Sequence, residues 1–203
     1  MAKRSPRADL LRQALAREAA RIMIEHGVDD HLFAKRKAAE RLGVTDQAVL
    51  PRNTEIEEAL AEHQRLFTPD AHATELADLR RTALDAMRLL SDFEPRIVGP
   101  VLSGTATAHS DILLHVFADT PESVAFSLMD RGIRHRVVEK RVKLQRDEAA
   151  TFPTLRFEAD GCEVDAMVFP KDGLRQSPMS PVDGRPMRRA TAAELEALLA
   201  AGA

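Results

Sequence analysis

The chain has 203 residues, with 29 Lys and Arg against 32 Asp and Glu, a formal net charge of −3. Hydrophobic residues make up 44% and charged residues 30%, a balance that suits a folded chain and excludes extended disorder. No apolar run approaches the roughly 20 residues of a membrane helix, so no membrane partner is expected.

The N-terminus, MAKRSPRADLLRQ, lacks the apolar core of a signal peptide. The single Cys162 excludes an intrachain disulfide. Both features lead to the expectation of a cytoplasmic protein. With no Trp and no Tyr, a stacking platform for bases would have to use the 8 Phe or His. Basic residues gather at two places. Lys3, Arg4, Arg7, Arg12, Arg17, Arg21, Lys35, Arg36, Lys37 and Arg41 lie early in the chain, and Arg175, Arg185, Arg188 and Arg189 lie late. Such clusters read either as solvated faces or as a contact with nucleic acid.

Residues 1–93 read as a helical region. Leu11, Leu15, Ala19, Ile22 and Met23 form one stripe at helical spacing from Ala8 to His26, closed by Gly27. A second helix covers residues 31–42 and stops at Gly43. A third is predicted to open at Thr54, with Glu57 three residues on as a capping box, and to bury Ile56, Leu60 and Phe67. A fourth runs from Pro69-Asp70 to about Ser91.

Residues 94–203 change pattern and read as an α+β domain. Short strands are predicted at Arg96–Leu102 and Asp111–Ala118, a helix at Pro121–Arg131, and a basic strand at Ile133–Leu144. Two further strands, Thr154–Ala159 and Cys162–Phe169, are joined by Asp160-Gly161, a strong hairpin signal. A Pro- and Gly-punctuated loop spans Lys171–Arg189, and Thr191 with Glu194 caps a last helix.

The chemistry concentrates in GPVLSGTATAHSDILLHVFAD, Gly99 to Asp119. Period-2 alternation puts Asp111, Leu113 and His115 on one strand face, and Glu163, Asp165 and Met167 on one face of the last strand. If the two strands are neighbours, Asp111 and Asp165 converge on a hard divalent cation such as Mg²⁺. The glycine-bearing loop before Asp111 would offer backbone N–H groups to a phosphate.

Gly99, Gly104, Ala106, Ser110 and Asp111 fall in register with the signature of the polymerase-beta-like nucleotidyltransferase superfamily, which this stretch resembles over residues 95–170. The signature is glycine-serine, a loop with a second glycine, then Ser-Asp-x-Asp. This chain departs from it at Pro100, where the family has serine, and at Leu113, where the family has its second metal-binding aspartate. The resemblance implies a mixed sheet with helices packed on it. It also implies Mg²⁺ or Mn²⁺ held by Asp111 and Asp165, with both as catalytic residues. Gly99, Ser103, Gly104 and Ser110 would hold the nucleotide. Glu163 and His115 are the side chains placed to substitute for the missing carboxylate.

Two readings remain open. One is a metal-dependent enzyme that moves a nucleoside monophosphate from a nucleoside triphosphate to a hydroxyl of RNA, DNA, a protein or a small molecule. The other is an inactive protein of the same fold that binds nucleotide or nucleic acid.

Overall fold

A computed structural model describes residues 6–145 and 147–202. Lys3 and Arg4 of the first basic cluster lie outside them. The chain divides into two compact units. One comprises the residues up to His72 with Thr107–Ser110 and Pro181–Asp183. The other comprises Ala73–Ala106, Asp111–Ser180 and the chain from Gly184 onward.

The first unit is built on three helices, α1 (Pro6–His26), α2 (His31–Arg41) and α3 (Asn53–Phe67). Gly27 takes φ +61° directly after α1, a left-handed conformation that glycine adopts without strain. Asp30 opens α2, its carboxylate accepting from the N–H groups of Leu32 (2.7 Å) and Phe33 (3.2 Å). Leu15, Ala19 and Ile22 of α1 pack with Ala34 and Ala38 of α2 and Ile56 and Leu60 of α3. The alanines let the helices approach closely.

Helix α3 begins one residue before Thr54. Glu55, rather than Glu57, accepts from the backbone N–H at the helix start, that of Arg52, at 2.6 Å. Glu57 instead lies 2.8 Å from the His31 ring. Phe67, expected in the core, is the last residue of α3 and is 70% exposed.

Helix α4 (Pro69–Leu89) crosses the boundary between the units. In the second unit its stripe of Leu76, Leu79, Ala83 and Met87 joins the main apolar core. That core sits on one face of a five-stranded sheet. The strands are β1 (Arg96–Val98), β2 (Ile112–Phe117), β3 (His135–Lys143), β4 (Ala149–Ala159) and β5 (Cys162–Phe169), in the order β1-β2-β5-β4-β3. The β2–β5 pair is parallel and the other pairs are antiparallel. The sheet is therefore mixed and the second unit α+β.

Three local features have clear physical causes. The first strand ends at Val98 and does not continue to Leu102. Gly99 turns left-handed at φ +73° and Pro100 then opens a short helix, α5 (Gly99–Ser103). Strand β4 starts at Ala149, five residues before its expected start, and carries Pro153. Its pairing with β5 begins only at Thr154, so Pro153 lies where β4 has a partner on one side. The Asp160-Gly161 turn has both residues at positive φ, +48° and +76°, as a tight hairpin with right-handed twist requires.

Helices α6 (Pro121–Asp130) and α7 (Ala192–Ala200) complete the unit. At the start of α7 the Glu194 carboxylate accepts from the Thr191 N–H, while the Thr191 hydroxyl accepts from the Glu194 N–H. Ile112, Leu114, Val116, Val164, Ala166 and Val168 point into the core shared with Val124, Leu128 and Leu195. The alternate residues of the same strands face the other way. Among the described residues no helix is long and apolar enough to cross a membrane.

Candidate functional site

The second sheet face collects the polar residues. Parallel register places Leu113 of β2 opposite Asp165 of β5, and antiparallel register places Arg156 of β4 on the other side of Asp165. Asp111 stands two residues before Leu113, at the mouth of β2.

Asp111, Glu163 and Asp165 converge as the sequence suggests, but on a cation supplied by the chain itself. The Arg156 guanidinium donates from Nε to Asp165 Oδ1 at 2.6 Å and from Nη2 to Asp165 Oδ2 at 2.7 Å. Its Nη1 lies 2.7 Å from Glu163 Oε1, and its Nη2 lies 3.7 Å from Asp111 Oδ2. This is a bidentate fork on one carboxylate with two further carboxylates beside it. Lys140 of β3 also donates to Asp165, and Arg136 donates to Glu163 at 2.9 Å. Three cations thus meet three carboxylates.

The Asp165 side chain is 2% exposed. Burial alone would raise its pKa. The hydrogen bonds from Arg156 and Lys140 outweigh that, and the carboxyl sits below its usual range. Arg156 is held above its ordinary value, first through its hydrogen bond to Asp165. Both groups stay ionised at neutral pH.

These residues do not fit the Mg²⁺ or Mn²⁺ that the family resemblance implies. A hard cation needs carboxylate oxygens with open lone pairs, and here the oxygens of Asp165 are taken by Arg156 and Lys140. Among the described residues no group of three or more His, Cys, Asp or Glu is arranged to hold a metal.

His115 does not act as a substitute ligand. It is 3% exposed, and its Nδ1 accepts from Arg189 Nε at 3.0 Å, so the ring is neutral with its proton on Nε2. Burial, reinforced by the Arg189 charge, lowers its pKa to about 3. Its ring packs on Phe169 at 4.7 Å between centroids. Arg189 lies over Phe117 and Phe169 and donates to the Gly173 carbonyl at 2.8 Å. Arg189, a member of the late basic cluster, is therefore a strap across this sheet face.

The loop residues also have local partners. A Cβ on Gly99 would come within 2.9 Å of Leu113 Cδ1, so the glycine makes room for the leucine. The Ser103 hydroxyl lies 3.3 Å from the Pro100 carbonyl and 3.1 Å from Thr105 Oγ1. Gly104, at φ +89°, donates its N–H to Pro100 O at 2.8 Å and ends α5. Ser110 belongs to the first unit, where its hydroxyl accepts from the Thr107 N–H at 3.0 Å.

Within the first basic cluster many charges are answered on the helices. Arg21 and Arg41 share Glu18, at 2.8 Å and 3.1 Å, and Lys37 pairs with Glu40 at 3.0 Å. Sequence reasoning missed Arg156 and Lys140. The signal was present: Arg156 lies two residues into the predicted Thr154–Ala159 strand, antiparallel to the carboxylates across a two-residue turn, and counting outward from Asp160-Gly161 pairs it with Asp165.

No family model matches the chain, and no curated protein matches it. Solved structures do. It is similar to a cytoplasmic RNA terminal U-transferase at 20% identity, over 55% of this chain and 29% of that one, with a TM-score of 0.28. Two structures of the Cid1 poly(U) polymerase match at 18% identity. They cover 58% and 60% of this chain and 37% and 39% of theirs, with TM-scores of 0.33 and 0.34. The chain thus spans well under half the length of these structures. The likeness concerns the fold alone.

Proposed function

We propose that this chain is a nucleotidyltransferase-fold protein that does not transfer nucleotides, and that it works as a cytoplasmic nucleotide- or nucleic-acid-binding or regulatory module. One observation carries the reading: the Arg156 guanidinium stands among Asp111, Glu163 and Asp165. Two-metal transfer needs carboxylates that bridge ions stabilising both the attacking and the leaving oxygen. Arg156 neutralises the same carboxylates without offering a vacant coordination position or a polarised water. Leu113 supports the reading, since an isobutyl group has no lone pair to offer, and Gly99 is shaped around it.

The test is direct. The purified chain is incubated with each labelled nucleoside triphosphate, with Mg²⁺ and with Mn²⁺, and with RNA, DNA and cell extract as acceptors. No label should move to any acceptor or to the chain itself. Metal-dependent transfer that Asp165→Asn abolishes would overturn the reading and restore the enzyme.

A further inference from the structure

Strand β3 is the outer strand of the sheet and pairs on one side only, with β4. Its register runs unbroken from His135 opposite Phe157 to Lys143 opposite Ala149, and it contains neither a bulge nor a proline. None of its nine residues is buried. A long, regular edge of this kind presents a row of backbone N–H and C=O groups to any strand that can approach it.

The hydrogen bonds show which of these groups point outward. In an antiparallel pair, every second residue turns its backbone groups to the partner strand and the residues between turn theirs away. The Leu144 N–H donates to the Glu148 carbonyl at 2.9 Å, inside the hairpin, so Lys143 faces outward. The Lys143 carbonyl accepts from the Met179 N–H at 2.7 Å. By alternation Arg141, Glu139, Val137 and His135 also face outward. One residue of the late loop thus bonds this edge as a strand would. The loop then turns off, with the Ser180 N–H donating to the Arg185 carbonyl at 2.7 Å.

The side chains set the charge of a fitting partner. Arg136, Lys140, Arg141 and Lys143 lie on the strand and Arg134 just before it, against one acid, Glu139. Arg136 and Lys140 donate to Glu163 and Asp165. Arg134, Arg141 and Lys143 are exposed and have no acidic partner among the described residues. Arg141 and Lys143 share a strand face with Val137, which is 60% exposed. Like charges opposed across strands repel, so these cations disfavour a second copy and favour a strand of opposite charge.

We propose that the outer edge of β3 receives an extended acidic segment of a partner protein as a sixth strand. Main-chain hydrogen bonds to Val137, Glu139 and Arg141 hold the segment, and the side chains select it. It carries an apolar residue opposite Val137 and Asp or Glu where it passes Arg141 and Lys143. A nucleic acid offers phosphates to the cations but no alternating N–H and C=O groups to the edge, so the open ladder favours a peptide. The proposal goes beyond the binding reading above and does not depend on it.

The test is fluorescence anisotropy of labelled peptides of about ten residues, long enough to span the strand, titrated with the full chain. The probes are a peptide alternating Val and Thr with Glu, the same peptide with Lys for Glu, the acidic peptide N-methylated at alternate backbone nitrogens, and an oligouridylate of equal charge. The acidic peptide should bind and weaken with added salt, and the Lys peptide should not bind. N-methylation should weaken binding by about tenfold or more, because it removes ladder hydrogen bonds and no charge. Val137→Pro removes one outward N–H without touching the β4 ladder and should cost about tenfold as well. Its Tm reports whether the fold is intact, and the N-methylated peptide tests the ladder without any variant. Arg141→Glu combined with Lys143→Glu should lose the acidic peptide and take up the Lys peptide. No binding of the acidic peptide, equal binding of its N-methylated form, or tighter binding of the oligouridylate would overturn the proposal. A concentration-dependent dimer that Val137→Pro disrupts would overturn it too, by making a second copy the occupant.

Discussion

Leu113 and Asp165 stand in register on neighbouring parallel strands, with Arg156 paired to Asp165 from the other side. The row across the sheet is therefore apolar, acidic, basic. Leu113 offers no lone pair to a cation, and Arg156 faces the acids beside it, Asp111, Glu163 and Asp165. The leucine and the arginine are consistent with one another. The isobutyl group gives a cation no ligand, and the internal guanidinium pairs with the carboxylates present.

Removing that guanidinium should be expensive. Arg156→Met strips Asp165 of two hydrogen bonds at 2.6 Å and 2.7 Å and leaves Lys140 as its remaining cation. Breaking one side of a buried pair typically costs about 3–5 kcal/mol. Urea unfolding at pH 7 should show a loss of that order, with a raised pKa for Asp165. A loss under about 1 kcal/mol would mean that the pair is a surface one.

Much of this face was legible in the sequence, and the limit is instructive. Period-2 alternation grouped Asp111, Leu113 and His115, and grouped Glu163, Asp165 and Met167. It gave faces but not the cation between them, because pairing across strands sets that, and Arg156 announces nothing by its type. The Asp160-Gly161 turn did fix the pairing in principle. Gly99 was read as ligand-facing from the family resemblance, and His115 from its place on the Asp111 face. Their real neighbours, Leu113 and Arg189, come from packing: one lies 14 residues away in the chain, the other 74. The capping of α3 was misplaced because Glu55 and Glu57 offer the same chemistry two residues apart.

Gly99 and Leu113 should be energetically coupled. Gly99→Ala forces a side chain into φ +73° and brings its Cβ to 2.9 Å from Leu113 Cδ1. The left-handed backbone costs about 1–2 kcal/mol, and the clash adds to it. Leu113→Ala should relieve the clash but not the backbone strain. A double-mutant cycle should give a favourable interaction of about 0.5–1.5 kcal/mol between the two alanines. Strict additivity would show that the leucine moves aside freely.

The neutral His115 predicts a pH dependence. In the unfolded chain the ring protonates near 6.5, whereas in the fold it stays neutral down to about 3. Between those values the unfolded state binds the extra proton, so stability falls as pH falls, by up to about 1.4 kcal/mol per pH unit. Asp165, below its ordinary value, stays charged through most of this window and does not reverse the slope. His115→Gln keeps an acceptor for Arg189 and has no proton to take up. Its stability should be flatter between pH 6.5 and 4 than that of the parent. Parallel curves would show that the ring titrates alike in both states.

The last prediction rebuilds the site that Arg156 fills. Leu113→Asp places a carboxylate opposite Asp165 and, at roughly 6–7 Å along the strand, on the face of Asp111. By itself this adds a fourth acid to a cluster whose three carboxylates already meet Arg136, Lys140 and Arg156. Repulsion then raises one carboxyl pKa and lowers stability in chelator. Mg²⁺ should restore little of the loss while the Arg156 fork holds the Asp165 oxygens. Combining Leu113→Asp with Arg156→Met frees those oxygens and leaves an excess of negative charge with the ligand type that a hard cation prefers. The double variant should be the least stable protein in chelator and gain the most from Mg²⁺ or Mn²⁺, by about 2–3 kcal/mol at a hundredfold excess over its Kd. Adding Asp111→Asn should remove most of that gain. Thermal unfolding of the parent, both single variants, the double and the triple, each with chelator, Mg²⁺ and Mn²⁺, separates these cases. If the double variant responds to metal no more than the parent does, Arg156 does not stand in for a cation, and the carboxylates meet only as a structural ion cluster.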